Sequence, residues 1–339
     1  MRKLLNTLYV TLPKAYLSKD GETVLVRQEE ETRLRVPILN LEGIVCVGQV
    51  SMSPALMAFC AERNVGVSFL SEHGRFLARV QGPVHGNVLL RREQYRRADD
   101  ECASAAIARS VLLAKVANGR TVLLRAARER PSAAVDCVAA RMGDSIRELE
   151  RTGTLDGLRG VEGDAARGYF SVLDELILQQ KEAFFFRERS RRPPLDNVNA
   201  LLSFLYVLLM HDVSSALETV GLDPAVGFLH RDRPGRAGLA LDLMEELRPV
   251  VADRMALTLI NRRQVTASGF TRSGSGGVSM SDATRKEVLT AWQLRKQEEL
   301  VHPFLNERIP LGLVPYVQAL LLARYLRCDL DAYPSFFWR

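Results

Sequence analysis

Cysteine is scarce and scattered. The five residues, Cys46, Cys60, Cys102, Cys137 and Cys328, are odd in number and form no Cys-x-x-Cys pair. A disulfide framework and a thiolate zinc site are therefore excluded as organising features, and a reducing compartment is the natural setting. Long hydrophobic runs are also missing. No apolar stretch reads as reaching membrane-spanning length, and the start MRKLLNTLYV is followed by neither a secretory h-region nor a small-residue cleavage site. The N-terminus reads as a first strand, and a soluble, cytoplasmic protein with no membrane partner is expected. No internal repeat points to a solenoid. Charge of one sign is in mild excess only, a net +6 from 46 Lys+Arg against 40 Asp+Glu, which permits nucleic-acid binding without demonstrating it.

What is present fits a globular protein of 339 residues, 47% hydrophobic and 25% charged, long enough for two domains with separate cores. Up to residue 80 the chain alternates short Val-, Leu- and Tyr-rich runs with turn signals at Lys19-Asp20-Gly21 and His73-Gly74. One helix interrupts them, opened by Ser53 as N-cap and Pro54 at N1. Residues 1–85 are thus expected to form a small β-rich domain with an inserted helix. GNVLLRREQYRRADD (86–100) is a switch point, with 86–97 as linker, and from residue 98 the apolar period becomes helical. The fold class is α+β in two domains, the second (98–339) larger and all-helical. Within it, SGFTRSGSGGVSMSD (268–282) reads as a flexible or hairpin loop, and the aromatic ending AYPSFFWR reads as packing back on its own chain.

Chemistry concentrates in Pro224–Pro249, PAVGFLHRDRPGRAGLALDLMEELRP. After His230 comes a loop with Arg231, Arg233 and Arg236, then an amphipathic helix with Asp242 and Glu245 at i, i+3 on one face. A loop imidazole folded onto that face makes a nitrogen-plus-carboxylate site for a divalent cation; a solvated acidic face with a structural histidine fits the same spacing. Upstream, Glu162 sits in a Gly-Val-Glu-Gly setting at an expected helix start. Small neighbours suit close approach of another backbone or a ligand, and an acidic residue in a first turn is equally a favourable dipole partner. Arginines cluster around Tyr95 (Arg91, Arg92, Arg96, Arg97) and before Pro193-Pro194 (Arg187, Arg189, Arg191, Arg192), and Arg248 follows the acidic helix. Phosphate contact, with Tyr95 free to stack on a base, competes here with solvated basic faces.

Four segments in this order, GNVLLRREQY, GVEGDAARGYF, RRPPLDNVNALLSFLYVLL and GFLH followed by LDLMEELRP, resemble the CRISPR-associated spacer-acquisition integrase, a metal-dependent DNA endonuclease. The AYPSFFWR ending looks like the branch that accompanies type I-C systems. The resemblance implies an N-terminal β domain used in dimerisation and a helical domain with a Glu, His, Glu/Asp metal triad, which falls on Glu162, His230 and Glu245, with Asp242 as a secondary acidic position. It further implies Mg²⁺ or Mn²⁺ as cofactor and double-stranded DNA, both incoming fragment and CRISPR repeat, as substrate. The DNA-contacting set would be Arg91, Arg92, Tyr95, Arg187, Arg189, Arg191, Arg192, Arg231, Arg233, Arg236 and Arg248. A homodimer, and a heterohexamer with the small second CRISPR-associated adaptation protein, are the implied assemblies. Two other classes fit the residues alone: a DNA-repair nuclease without an integration role, and a non-catalytic nucleic-acid-binding scaffold.

Overall fold

The computed structural model describes residues 7–29, 31–41, 43–63, 65–71, 76–80, 82, 88–274 and 276–338. The His73-Gly74 turn and the expected boundary at residues 85 and 86 lie outside the described residues. The chain divides into two compact units: Met1–His85 with Met280–Glu299 and Pro310–Leu313, and Gly86–Ser279 with Leu300–Ile309 and Val314–Arg339.

The first unit holds two four-stranded sheets. Strands β1 (Thr7–Val10), β5 (Gly43–Val47) and β7 (Gly66–Leu70) run parallel in the order β1-β5-β7, and β8 (Phe76–Val80) closes the edge antiparallel. In the other sheet β4 (Glu31–Pro37), β3 (Thr23–Gln28) and β2 (Ala15–Asp20) form an antiparallel meander, with β6 (Ser51–Met52) parallel to β2. The Asp20↔Thr23 register places the tight turn at Gly21, whose φ of +55° suits glycine. Edge strand β4 is almost wholly exposed and carries Glu31, Arg33 and Arg35, charges that discourage uncontrolled edge pairing. Helix α1 (Pro54–Glu62) starts where Ser53 Oγ accepts from Leu56 N, and its Leu56, Phe59 and Cys60 join Leu17, Val26, Ile44 and Val67 in one core. Cys46 and Cys60 lie in that core, and burial pushes their thiols up to about 12 and about 11; they pack as small hydrophobes. The late helix α9 (Asp282–Gln297), expected with the helical domain, clusters with this unit.

Helices dominate the second unit, joined by irregular segments at 177–196 and 221–237 and by short two-stranded pairs. The segment expected as a linker is a helix, α2 (Val88–Asp99), followed by α3 (Glu101–Glu129), α4 (Ala133–Arg151) and α5 (Leu155–Ser171). Asp100 caps α3 by accepting from Cys102 N and Ala103 N, while Ser132 and Thr154 cap the next two. Helix α6 (Asn197–Val220) ends at Gly221 in the left-handed conformation, φ 94°. This helix corrects the reading that no segment is long and apolar enough to span a membrane: at 24 residues and a hydropathy of 1.6 it passes that test. Its Leu201, Leu205, Leu208, Leu209 and Val213 are buried against the other helices, and its first turns carry a hydrogen-bonded Asn199, as expected for a central core helix. Of the two readings for the Gly/Ser-rich 268–282 segment, the hairpin holds: β9 (Phe270–Arg272) pairs with β10 (Val278–Met280).

Candidate active site

Two glycines let the His230 loop lie on helix α7 (Gly238–Glu245). A Cβ on Gly227 would stand 2.6 Å from Gly238 C, and one on Gly238 would stand 2.7 Å from Ala225 O, so neither position has room for a side chain. The approach satisfies the first free N–H groups of α7: Gly238 N donates to Ala225 O, and Leu239 N and Ala240 N donate to Pro224 O. Asp242 then gathers the loop. Its Oδ2 accepts from Phe228 N (2.6 Å) and Leu229 N (2.9 Å), and its Oδ1 accepts from His230 N (3.0 Å) and lies 2.6 Å from His230 Nδ1. Four contacts on one buried carboxylate commit both oxygens to holding the imidazole. With Nδ1–H donating to Asp242, the free lone pair sits on Nε2, which faces Glu245 Oε1 at 3.9 Å.

Glu162 reaches the same place from α5. It lies two turns inside that helix rather than at its start, and the flanking Gly160 and Gly163 border open space, so the close approach expected there occurs at Gly227 and Gly238 instead. One turn before it, Arg159 donates through Nε and Nη2 to Leu229 O (3.2 and 2.6 Å), tying the helix of Glu162 to the loop of His230.

Lys115 stands between the two glutamates. It projects from α3, and its ammonium pairs with Glu162 Oε1 and with Glu245 Oε2, the latter at 2.6 Å. The Glu245 pair is electrostatic: buried Oε2 receives no hydrogen bond of acceptable geometry. Arg248 approaches the other oxygen, Nη1 to Oε1 at 2.7 Å. Burial by itself would raise the Glu245 carboxyl, but Arg248, Lys115 and His230 outweigh it and hold the group at about 2. For Lys115, burial opposes the charge and the two glutamates more than restore it, so its ammonium is held above the ordinary lysine value. A π-helical turn, Arg248–Asp253, follows α7 and lets Arg248 lie over the ring of Tyr206, 5.1 Å from its centroid.

The arginines divide into engaged and free. Arg189 donates to Ser190 O, to Asn199 Oδ1 and to Ser203 Oγ, and its guanidinium lies 5.3 Å from the Tyr206 ring centroid. Arg91 donates to Gly221 O, Tyr95 donates its hydroxyl to Asp223, and Arg248 is spent on Glu245. Arg92, Arg187, Arg191, Arg192, Arg231 and Arg233 are exposed, and Arg236 is half-buried. Arg231 pairs with exposed Asp156 at 3.4 Å.

Three functional candidates escaped the sequence reading. Lys115 left a trace, a single lysine within the apolar run SVLLAKVA. Arg159 left none, because its partner is a carbonyl 70 residues away. Gln94 was hidden among arginines; it is fully buried and holds the 223–226 loop through Asp223 O, Val226 O and Asp223 N.

Two carboxylates and an imidazole whose second nitrogen is anchored by a carboxylate are a donor set for a hard divalent cation. As the side chains stand, no group of three or more His, Cys, Asp or Glu is close enough to hold a metal among the described residues, since the Lys115 ammonium lies between two of them. The buried Glu245 Oε2 without a hydrogen-bond donor, and the sharing of one cation by Glu162 and Glu245 with His230 Nε2 3.9 Å from Glu245 Oε1, fit such an ion.

The sequence profile of CRISPR associated protein Cas1 matches residues 8–294. A CRISPR-associated endonuclease Cas1 of Rhodospirillum rubrum is 54% identical over 347 residues, covering 100% of both chains. Among solved structures, a casposase bound to its integration product superposes with a TM-score of 0.85 at 21% identity, over 98% of this chain and 94% of that one. A Cas6-RT-Cas1–Cas2 complex gives 0.82 at 22% identity, over 99% of this chain and 36% of the other. The chain belongs to the Cas1 family of CRISPR-associated endonucleases.

Proposed function

We propose that this protein is a metal-dependent DNA integrase of CRISPR adaptation, with Glu162, His230 and Glu245 holding one Mg²⁺ or Mn²⁺. The observation that carries the reading is that one cation, Lys115, bridges Glu162 of α5 and Glu245 of α7, while His230 of the 228–230 loop turns Nε2 toward Glu245 Oε1 at 3.9 Å. When bound, the metal supplies Lewis acidity at the scissile phosphate. The chain's own residues prepare that position. Asp242 fixes the imidazole tautomer so that Nε2 faces inward, and Arg159 keeps the loop registered on α5. Arg248 keeps Glu245 ionised. The reaction is a transesterification: the 3′-hydroxyl of an incoming fragment forms a bond to phosphorus as the bond to the target's 3′-oxygen breaks, so the number of phosphodiesters is conserved. Water in the place of that hydroxyl gives cleavage. The likeness to a casposase bound to an integration product supports strand transfer over cleavage alone as the main activity.

The partners follow from the same reading. The exposed arginines of residues 187–192 and 231–233 contact duplex phosphates without reading bases. Two homodimers flank a dimer of a small Cas2-type protein as a heterohexamer, a reading supported by the likeness to a Cas1-containing complex with Cas2. The cytoplasm, where the array lies, is the site of action, and the AYPSFFWR ending supports the type I-C branch. The test is strand transfer from a short duplex with 3′-OH ends into a repeat-containing target, with Mg²⁺ or Mn²⁺, the partner protein and a His230→Ala control. Joined product that needs metal and vanishes in the variant is expected. Cleavage without joining would give the repair-nuclease reading, and DNA binding with no processing would give the scaffold.

A further inference from the structure

Lys115 pairs with both glutamates of the site. Its stem rises from the buried face of α3, between Leu112 and Val116, and its side chain is only 17% exposed. Such a placement is unfavourable for an ammonium without compensating charge. Glu162 and Glu245 provide that charge, while Arg248 already neutralises much of Glu245 from its other side at 2.7 Å. The immediate site thus holds two carboxylates against two cations and is close to balanced. A dication added to this arrangement meets two positive groups within contact distance of its ligand oxygens, and Glu245 Oε2 is covered by Lys115 at 2.6 Å. Arg248 is anchored by a short helical spacing and by the Tyr206 ring. Lys115 has no hydrogen-bonding fork to lose and four flexible methylenes on which to swing.

We propose that Lys115 is the resident cation of this site, holding Glu162 and Glu245 together, and that a divalent metal binds by displacing its ammonium. The inference rests on the reading of Glu162, His230 and Glu245 as the metal-binding set. It makes Lys115 a positioning residue with two opposed effects: it preassembles the ligands, and it competes with the ion they bind. Competition for the same oxygens makes metal affinity lower than the ligand set alone would give, and it makes metal binding substitute for an interaction the fold already has.

The experiment measures Mn²⁺ binding by isothermal titration calorimetry, and thermal midpoints with and without saturating Mn²⁺, for the full chain, Lys115→Met, Lys115→Gln and Glu245→Gln. Removing the competitor is expected to tighten Mn²⁺ binding by about tenfold. The midpoint without added Mn²⁺ falls, and saturating Mn²⁺ restores it to the level of the loaded parent. Lys115→Gln keeps the outcome readable if the apolar replacement folds poorly. Unchanged or weaker Mn²⁺ binding in both lysine variants, with the parent's binding still abolished by Glu245→Gln, overturns the role of Lys115 and leaves the metal site standing. An equal loss of midpoint with and without Mn²⁺ overturns it as well, because a lysine that only supports packing behaves that way. Mn²⁺ binding that Glu245→Gln leaves untouched overturns the site itself and this inference with it.

Discussion

Glu245 and Glu246 are neighbours in sequence, both buried, and they live in opposite surroundings. Glu245 faces two cations, Arg248 at 2.7 Å and Lys115 at 2.6 Å, which hold its carboxyl at about 2. Glu246 faces neutral donors: Tyr333 Oη at 2.5 Å, Phe336 N at 2.6 Å and Gln318 Nε2 at 3.3 Å from both oxygens. Burial raises its carboxyl to about 7 despite those donors, because none carries a compensating charge. A strongly ionised, under-bonded carboxylate suits a cation site. A fully bonded, weakly ionised one suits a structural joint. The joint it makes is the C-terminal tail. Asn118 donates to Glu246 O and Phe336 O and accepts from Trp338 N. The Trp338 ring lies between Arg125 at 3.7 Å and Arg254 at 4.3 Å. The tail packs in cis, as its composition led one to expect, and it closes on the residue next to a proposed metal ligand.

The most drastic way to break this comparison is to remove one side of it. Deleting the chain after Asp331 strips Glu246 of Tyr333 and Phe336 and leaves a buried carboxylate with Gln318 alone. Leaving a buried acceptor without two of its donors costs about 2 kcal/mol. Denaturant unfolding is expected to show that loss, with DNA binding and processing falling together because the fold itself is compromised. A deletion that unfolds like the parent yet loses activity would move the tail from joint to active site. On the other side, Glu245→Gln keeps the volume and removes the charge. Strand transfer is expected to drop by about a thousandfold, as for loss of a dominant electrostatic group in a site. Duplex binding in a gel-shift assay stays within about twofold, since the phosphate contacts lie elsewhere. Activity near the parent level would remove Glu245 from the site.

How far the sequence carried this site follows from the kind of signal each residue leaves. Asp242, Glu245 and His230 are close in sequence, and helical spacing plus a glycine-bearing loop was enough to bring them together. Glu162 was marked by its Gly-Val-Glu-Gly setting, but only the family pattern joined it to the site, since nothing local ties it to a loop nearly seventy residues on. Lys115 left only its place in an apolar run, and Arg159 and Gln94 left less, because the partners that matter are distant carbonyls or side chains and burial of a polar residue cannot be read from composition. The same limit applied to the arginines: Arg189 and Arg191 look alike in a basic run, yet Asn199 and Ser203 claim the first. In the fold, strand alternation and caps such as Ser53 were readable, whereas the grouping of α9 with the β-rich unit depends on contacts between segments more than 200 residues apart.

Asp253 sharpens the comparison at a smaller scale, because it mixes both environments. Burial raises its carboxyl to about 6 from 3.8, opposed by the Tyr206 hydroxyl at 2.6 Å, by Tyr169 and, more weakly, by Arg248 and Arg189. Between those two values the folded chain binds more protons here than the unfolded chain does. Its contribution to stability therefore falls as pH rises from about 4 to about 6 and is level above, an amplitude of about 3 kcal/mol. Unfolding measured at pH 4.5 and 6.5 is expected to differ between the parent and Asp253→Asn by most of that amount, the asparagine lacking this downward slope. Identical slopes would mean that Tyr206 and the arginines already stabilise the charged form.

The smallest effect belongs to the surface, where the two kinds of arginine part company. Arg191 and Arg192 are exposed, and Arg189 beside them is held inside. Replacing Arg191 and Arg192 by alanine removes no buried partner, so stability shifts by less than about 0.5 kcal/mol. If both contact phosphates, the slope of log affinity against log salt becomes shallower by about 2, with weakening that is uniform across DNA sequences. Arg189→Ala is expected to do the reverse, lowering the unfolding midpoint because Asn199 and Ser203 lose their donor inside the helical unit, with the salt slope changed little. Should the exposed pair leave the slope untouched while Arg189→Ala flattens it, the guanidinium now turned inward is the one that reaches DNA, and the division between engaged and free arginines fails at this cluster.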